Sequence, residues 1–250
     1  MEVTVAKAPQ SEQHRLLELQ ALDSKVVKLS REAHALQHDA DISTAAAAAV
    51  EAQKVQRAAA DMLADAASRL KDSEHEVETL TTRIDKNRTR YESGAGSAKD
   101  LVSMEHELVN MAERKGLLED AELELMEAVE AATAARDEAT AAHAAATAEL
   151  NALEDARDVK LGEINKHKTE LATERLALTG SLDSGLLAIY EKRRAQYGIG
   201  AARLFRGISE GSGMALAAGD LAEIKSKADD EIVFCPDSSC ILVRSAEWNA

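Results

Sequence analysis

Between two long segments with regularly spaced apolar residues, the chain reads Glu92-Ser93-Gly94-Ala95-Gly96-Ser97. Two glycines within six residues end a helix, because glycine readily adopts the left-handed backbone that follows a helix terminus. Asp100 follows Ser97 at a spacing of three residues, which resembles the capping box that begins a helix. The sequence therefore predicts a turn at residues 92–97 between two antiparallel helices.

Both segments carry apolar residues at spacings of three and four, the pattern of a coiled-coil seam with charged flanks. The seam of the first segment is predicted to contain Leu19, Leu22, Val26, Leu29, Ala33, Leu36, Ala40, Ala47 and Val50, then, after a change of phase near Lys54, Ala59, Leu63, Ala66, Leu70, Val77, Leu80, Ile84 and Tyr91. The seam of the second segment is predicted to contain Leu101, Met104, Leu108, Met111, Leu118, Leu125, Val129, Leu150, Leu153, Leu161, Ile164 and Leu171. Residues 11–179 are thus predicted to form a long antiparallel two-helix coiled-coil hairpin, in which residue i faces residue 189 − i.

The composition excludes most other fold classes. Aromatic residues make up 2% of the 250 residues, and only two residues are proline. A β-sandwich or an α/β enzyme of this length needs more turn residues and a more aromatic core. No run of 18 apolar residues is present, so no membrane-spanning segment is predicted. The absence of an apolar signal segment at residues 1–10 and the presence of only two cysteines predict a cytoplasmic protein.

The net charge and the absence of catalytic motifs exclude several classes of function. The net charge is −15, and residues 1–180 carry −13 of it, which disfavours wholesale nucleic-acid binding along the hairpin. The sequence contains no glycine-rich phosphate loop, no Gly-x-Ser-x-Gly and no His-Glu-x-x-His. We therefore predict no catalytic residues and no enzymatic activity.

The pattern changes after residue 180, where most of the glycines and five of the six aromatic residues lie. We predict a helix at residues 183–196, a strand near residues 203–208 and a short helix at residues 218–227. Two further strands, residues 231–234 and 240–244, form a hairpin through Pro236-Asp237-Ser238-Ser239. Residues 180–250 are therefore predicted to form a small α+β module, so that the fold class as a whole is mainly α.

Several stretches carry a family resemblance: AKDLVSMEHEL at 98–108, LLEDAELELME at 117–127, GLLAIYEK at 185–192, GAARLF at 200–205, DEIVFC at 230–235 and ILVR at 241–244. The chain resembles bacterial C4-type zinc ribbon proteins with an N-terminal coiled-coil hairpin, and most of all their actinobacterial branch. The resemblance covers nearly the whole chain. It implies a zinc-ribbon-like module carried by the hairpin, with roles in protein or nucleic-acid interaction near transcription or RNA metabolism.

The resemblance also implies one zinc ion held by two Cys-x-x-Cys knuckles. Those four ligand positions fall on Ser209, Ser212, Cys235 and Ser238, and Cys240 lies two residues past the last of them. Serine hydroxyls are poor zinc ligands at neutral pH, so we predict that zinc is lost and that apolar packing replaces it. A shifted zinc site using both cysteines and carboxylates is one alternative. A disulfide between the cysteines is another, disfavoured in a reducing cytoplasm.

Two basic clusters are candidate binding sites. The tip cations precede the predicted turn and are Arg83, Lys86, Arg88 and Arg90, with Lys99 just beyond the turn. They fit contact with an acidic protein surface or a phosphate, or else a solvated helix end whose dipole favours cations. The neck cations follow the hairpin and are Lys192, Arg193, Arg194, Arg203 and Arg206. With the nearby aromatic rings they fit stacking on single-stranded nucleic acid, or else ion pairing with the acidic hairpin around core aromatics.

Together these observations predict a cytoplasmic, non-enzymatic adaptor without a cofactor, in which the hairpin presents the C-terminal module to a protein partner. Binding of RNA or DNA through the neck cations is the alternative. A homodimer remains open.

Overall fold

The computed structural model describes residues 7–248, and the chain divides into two compact units. The turn unit is residues 39–156. The base unit combines residues 1–38 with residues 157–250, of which 7–38 and 157–248 are described. The helices are α1 (Gln10–Gln37), α2 (Ala40–Glu92), α3 (Ala98–Thr179), α4 (Ser184–Tyr197) and α5 (Ala218–Ser226). No helix within residues 7–248 is both long and apolar enough to cross a membrane.

The turn unit contains α2 and the first part of α3, which run antiparallel as a helical hairpin. Near the turn, Arg83 Nη2 lies 3.1 Å from Glu107 Oε1. Farther from the turn, Gln56 Nε2 donates to Thr140 Oγ1 at 3.3 Å. The partners move apart in sequence as the distance from the turn grows, as two antiparallel helices require.

The connection between α2 and α3 depends on backbone conformations that the sequence indicates. Gly94 has φ +66° and Gly96 has φ +144°, both in the region that favours glycine. The capping box forms as predicted: the Ser97 N–H donates to the Asp100 carboxylate at 2.9 Å, and the Asp100 N–H donates to the Ser97 hydroxyl at 3.3 Å. Two of the backbone N–H groups that lack an intrahelical partner at the start of α3 are thereby satisfied.

The helical path of the first segment is interrupted at residues 38–39. α1 ends at Gln37, and Asp39 begins α2 by accepting a hydrogen bond from the N–H of Asp41 at 2.9 Å. By contrast, α2 continues without interruption through Lys54, where the sequence pattern placed a change of phase. A side-chain cap of this kind begins a new helix and so resets which residues lie on its buried face.

The seam of α2 follows this new phase. Ala45 and Ala49 are buried, while Val50 is 54% exposed and Ala40 and Ala47 are exposed. The prediction that the seam continues through Ala40, Ala47 and Val50 is therefore wrong. The twelve seam positions predicted on α3 are all buried or half-buried, because α3 has no interruption that would shift the pattern.

The predicted pairing register is also wrong away from the turn. The rule that residue i faces residue 189 − i places residue 133 opposite Gln56, about seven positions from the observed partner Thr140. In the base unit it places residue 166 opposite Asp23, about nine positions from the observed partner Arg175. Alanines occupy many neighbouring positions on both helices, so several registers place alanine opposite alanine and the pattern does not distinguish them.

The base unit contains a five-stranded sheet with the order β3-β2-β1-β5-β4. The strands are β1 (Ala201–Phe205), β2 (Ile208–Ser209), β3 (Met214–Ala215), β4 (Val233–Phe234) and β5 (Ile241–Arg244). Strands β1 and β5 are parallel, whereas the other pairs are antiparallel. The predicted strand at 203–208 is two strands, because the chain reverses at Arg206 and Gly207, whose φ angles are +49° and +73°.

Alternate residues of this sheet face two different cores, as strand geometry dictates. One face packs Ala201, Ile241 and Val243 against α1 and α4, where Leu16, Leu19, Leu186 and Tyr190 are fully or almost fully buried. The other face packs Ala202, Leu204 and Leu242 with Ile224 of α5 and with both cysteines. The positions that the family resemblance assigns to zinc therefore lie on the α5 side of the sheet.

Candidate functional site

The four positions that the resemblance assigns to zinc come together in the base unit. Ser209 ends β2 and Ser212 lies in the loop to β3, while Cys235 and Ser238 lie in the connection between β4 and β5. Cys235 Sγ lies 4.0 Å from Ser212 Oγ and 3.5 Å from the N–H of Ser238. Burial alone would raise the pKa of Cys235, but the nearby Ser209 hydroxyl and the polar groups of Ser238 outweigh it and lower the pKa. The strand pairing thus preserves two knuckles that contact each other.

Cys240 also lies in this cluster, although the resemblance assigns no zinc position to it. It is fully buried, and its Sγ lies 3.2 Å from Ser238 Oγ. Burial raises the pKa of its thiol. Gly211 closes the cluster on the other side, since a Cβ at that position would lie 2.8 Å from Cys240 Sγ. The two knuckles can therefore pack this closely only because position 211 carries no side chain.

These donors do not fit a structural zinc ion. Structural zinc takes four thiolate or imidazole ligands in a tetrahedron, and three of the four assigned positions offer a neutral hydroxyl instead. Within residues 7–248, no three side chains of the His, Cys, Asp or Glu types converge in a way that would hold a metal.

The tip cations lie on the surface of the turn unit. Arg83 pairs with Glu107 at 3.1 Å, and both side chains are about half exposed or more. Lys86, Arg88 and Arg90 are exposed, and none of the three forms an ion pair with another residue of the described chain. The structure thus leaves three tip cations available to an acidic group.

Three of the neck cations pair with carboxylates in the base unit. Arg194 is half-buried and pairs with Glu191 at 2.8 Å and with Asp23 at 3.4 Å. Arg203 pairs with Glu210, and Arg206 pairs with Glu247 at 3.4 Å. The guanidinium groups of Arg203 and Arg206 lie 4.7 and 5.2 Å from the Phe205 ring centre.

Arg193 has a different environment, because it contacts two aromatic rings and no carboxylate in the described chain. Its guanidinium carbon lies 4.3 Å from the Phe234 ring centre and 5.9 Å from the Tyr197 ring centre. Tyr197 is 44% exposed and Phe234 is 37% exposed. Lys192 is also exposed next to this group. We call Arg193, Tyr197 and Phe234 the stacked patch.

A buried polar network, which the sequence patterns did not reveal, holds α4 in place. Asp23 of α1 is 4% exposed and accepts hydrogen bonds from Arg175 Nε at 2.7 Å and from the Tyr190 hydroxyl at 2.7 Å. Burial and the hydrogen bond to Asp23 raise the pKa of Tyr190. Burial alone would raise the pKa of Glu191, but Arg175 and Arg194 outweigh it and lower that pKa.

A family model described as the CT398-like coiled coil hairpin domain matches residues 19–198, which is most of the chain. The chain belongs to this family.

Individual relatives and solved structures are similar to nearly the whole chain. An uncharacterized protein of Mycobacterium tuberculosis, Rv2229c, is 34% identical over 241 residues, which cover 95% of this chain and 97% of the relative. A solved structure from Mycobacterium smegmatis is 29% identical, has a TM-score of 0.84 and matches 96% of this chain and 100% of that one. The structure of CT398 from Chlamydia trachomatis shares the fold at 17% identity, with a TM-score of 0.63 over 94% of this chain and 98% of that one.

In this family member, one sequence signal could have revealed the buried network. Leu16, Leu19 and Asp23 follow one another at spacings of three and four, so Asp23 lies on the buried face of α1. A carboxylate at such a position needs cationic or hydroxyl partners, because an unpaired buried charge is very costly. The stacked patch had a weaker signal, since Phe234 is 41 residues from Arg193 and only the sheet brings them together.

Proposed function

We propose that this protein is a non-enzymatic adaptor whose C-terminal module binds another protein. The proposal agrees with membership of a coiled-coil hairpin family and with the lack of a recognisable catalytic motif. The helical hairpin supplies a scaffold, and the sheet of the base unit supplies a small, well-packed platform.

The observation that supports protein binding best is the stacked patch. Arginine and exposed aromatic side chains are the residue types that contribute most to protein–protein binding energy. The two rings orient the Arg193 guanidinium, so less conformational entropy is lost when it meets a carboxylate of a partner. The patch thus favours a partner segment that combines an apolar group with a carboxylate.

Nucleic-acid binding has weaker support. Arg194, Arg203 and Arg206 already pair with carboxylates, which leaves Arg193 and Lys192 to meet a phosphate backbone. The net charge of −15 further opposes a polyanion. For these reasons we rank protein binding above binding of RNA or DNA through the neck cations.

A site-specific cross-linking experiment tests this proposal. Tyr197 is replaced by photo-reactive p-benzoylphenylalanine in the cells that naturally make the protein. The same group at Met214, which is 56% exposed on β3, is the matched control. We expect one protein adduct from position 197 that is absent from position 214 and is lost when Arg193→Ala is added.

The other outcomes separate the alternatives. An adduct that is sensitive to ribonuclease or deoxyribonuclease would replace the proposal with nucleic-acid binding. An adduct with the mass of two chains would replace it with a homodimer. Equal labelling from positions 197 and 214 would contradict a specific surface.

We also propose that the module functions without zinc. The support is the donor set at Ser209, Ser212, Cys235 and Ser238, whose hydroxyls suit hydrogen bonding better than zinc coordination. Elemental analysis of untagged protein purified without a chelator should give close to no zinc per chain, with cooperative unfolding of the module. One tightly held zinc per chain would contradict the proposal.

A further inference from the structure

The two cysteines are cross-strand neighbours at the end of the β4–β5 hairpin. Phe234 pairs with Ile241 in the antiparallel ladder, and Cys235 and Cys240 are the next pair along it. The Cys235 N–H donates to the Cys240 carbonyl at 2.9 Å. The Ser239 N–H donates to the Cys235 carbonyl at 2.9 Å and closes the turn between them. The backbone therefore holds the two cysteines opposite each other.

Because the Cys235 N–H donates to the Cys240 carbonyl, the two cysteines occupy a hydrogen-bonded position of the ladder, where opposed Cα atoms are about 5.5 Å apart and side chains lie on the same face. That separation lies inside the range of about 4.4–6.8 Å found in disulfides. Both thiols also contact the same residue: Ser238 N–H lies 3.5 Å from Cys235 Sγ, and Ser238 Oγ lies 3.2 Å from Cys240 Sγ. Joining the sulfurs therefore keeps the strand pairing, but it requires rotation of both side chains and a closer approach of the Cβ atoms, which lie about 3.5–4.5 Å apart in disulfides.

We infer that Cys235 and Cys240 form a reversible oxidation site that closes to one intramolecular disulfide when the protein meets hydrogen peroxide. Both cysteines are free thiols in the structure. The oxidation site rests on the proposed absence of zinc from the knuckles, and it is independent of the proposed protein-binding role.

The chemistry proceeds in two balanced steps. The Cys235 thiolate attacks one oxygen of hydrogen peroxide, so that an S–O bond forms, the O–O bond breaks and hydroxide leaves. The Cys240 sulfur, after giving its proton to that hydroxide, attacks the sulfenic sulfur of Cys235. An S–S bond forms, the S–O bond breaks, and the departing hydroxide takes a proton from solvent and becomes water. Two thiols are oxidised and one peroxide is reduced to two waters.

The covering of the site selects for a small oxidant. Cys235 is 2% exposed and Cys240 is fully buried, so a protein oxidant cannot reach either sulfur directly. The turn that follows Cys235 is itself open to solvent, however, because Pro236 and Asp237 are exposed. A local opening of this short turn is enough to admit a molecule the size of hydrogen peroxide.

The first experiment exposes reduced, full-length protein to hydrogen peroxide with a metal chelator present. A tryptic peptide covering residues 228–244 contains both cysteines and no internal cleavage site. We expect this peptide to lose the mass of two hydrogens in a monomeric protein, and dithiothreitol to restore it. Cross-linked dimers, or oxidation of one cysteine to a sulfinic acid without loss of the other thiol, would overturn the inference.

The second experiment measures the disulfide equilibrium against glutathione. In the folded protein, the equilibrium constant for closing the disulfide should exceed that of the urea-unfolded chain by about tenfold or more, because the hairpin holds the thiols together. An equal or smaller constant in the folded protein would show that the geometry opposes closure. Because the unmodified chain is used, a folding defect cannot produce this result.

Matched variants identify the order of the steps. In Cys240→Ser, Cys235 should stop at the sulfenic acid, which dimedone traps. In Cys235→Ser, dimedone labelling should fall at least severalfold. Stronger labelling of Cys235→Ser than of Cys240→Ser would overturn the assignment of Cys235 as the attacking thiolate.

Discussion

The turn unit and the base unit are stabilised in different ways. In the turn unit, the buried apolar residues are few and mostly small: Ala45, Ala49, Ile84, Met111 and Ala139. In the base unit, large side chains such as Tyr190, Leu16 and Leu204 are fully buried, and Asp23 is buried among hydrogen-bond partners.

The difference predicts how the stability of each unit responds to substitution. A repeated seam of half-buried residues distributes stability over many small contacts, so one substitution removes little. A dense core with a buried carboxylate concentrates stability in a few side chains, because cavities and unpaired charges are costly. We therefore expect single substitutions to have unequal effects in the two units.

The largest difference is expected for truncation of Tyr190. Its ring is fully buried and packs against Gly200, where a Cβ would lie 2.4 Å from a ring carbon. Tyr190→Ala should lower the free energy of unfolding by about 3–5 kcal/mol. Leu117→Ala in the turn unit, where Leu117 is 72% exposed, should cost less than about 0.5 kcal/mol. Urea unfolding checks both, and similar losses would contradict the comparison.

The next largest difference concerns ion pairs. Asp23→Ala leaves Arg175 and the Tyr190 hydroxyl without their buried partner, so we expect a loss of about 2–3 kcal/mol in the free energy of unfolding. Glu107→Ala breaks the exposed pair with Arg83 and should cost at most about 1 kcal/mol. Added salt should weaken the second effect more than the first. An equal cost in urea unfolding would show that the network contributes no more than a surface pair.

A third comparison lies within the turn unit and tests the phase of its seam. Ala49→Leu introduces a larger side chain at a buried position and should lower the free energy of unfolding by about 1–3 kcal/mol. Ala47→Leu places the same side chain on the exposed face and should change that free energy by less than about 0.5 kcal/mol. Thermal unfolding of the two variants, followed by circular dichroism under the same conditions, distinguishes the two effects. The reverse order would restore the phase that the sequence pattern predicted.

The smallest effect is a pH dependence of the base unit. Burial and the bond to Asp23 raise the pKa of Tyr190, so the unfolded chain releases this proton first as pH rises. Stability is therefore complete below the ordinary tyrosine pKa of about 10 and declines above it. At pH 11 the expected loss is about 1.4 kcal/mol relative to pH 9. Tyr190→Phe should reduce this loss, and an unchanged slope in urea unfolding would contradict the assignment.

Much of the fold could be predicted from residues close together in sequence. The Ser97–Asp100 capping box, the seam of α3 and the helices α4 and α5 depend on local spacing, which is why the patterns located them. The predicted seam of α2 from Ala59 to Tyr91 is buried or half-buried, but the phase of its first turns, through Val50, could not be predicted from spacing alone, because Asp39 begins a new helix and alanines fill either face equally well. The strands β2 and β3 are two residues each, too short for alternation to show.

The features of the candidate sites also divide into those that local sequence determines and those that depend on the tertiary structure. The sequence by itself determined that residues 11–179 contain a helical hairpin, that three of the four assigned zinc positions are serine, and that basic residues cluster at the tip and neck. These properties follow from residue type and from local periodicity. Only the tertiary structure decided that Arg193 lies against Phe234, that Asp23 is enclosed by Arg175 and Tyr190, and that Cys235 opposes Cys240. The partners in the first two groups are many residues apart, and the strand register that opposes the cysteines depends on packing of the whole sheet, which local spacing does not encode.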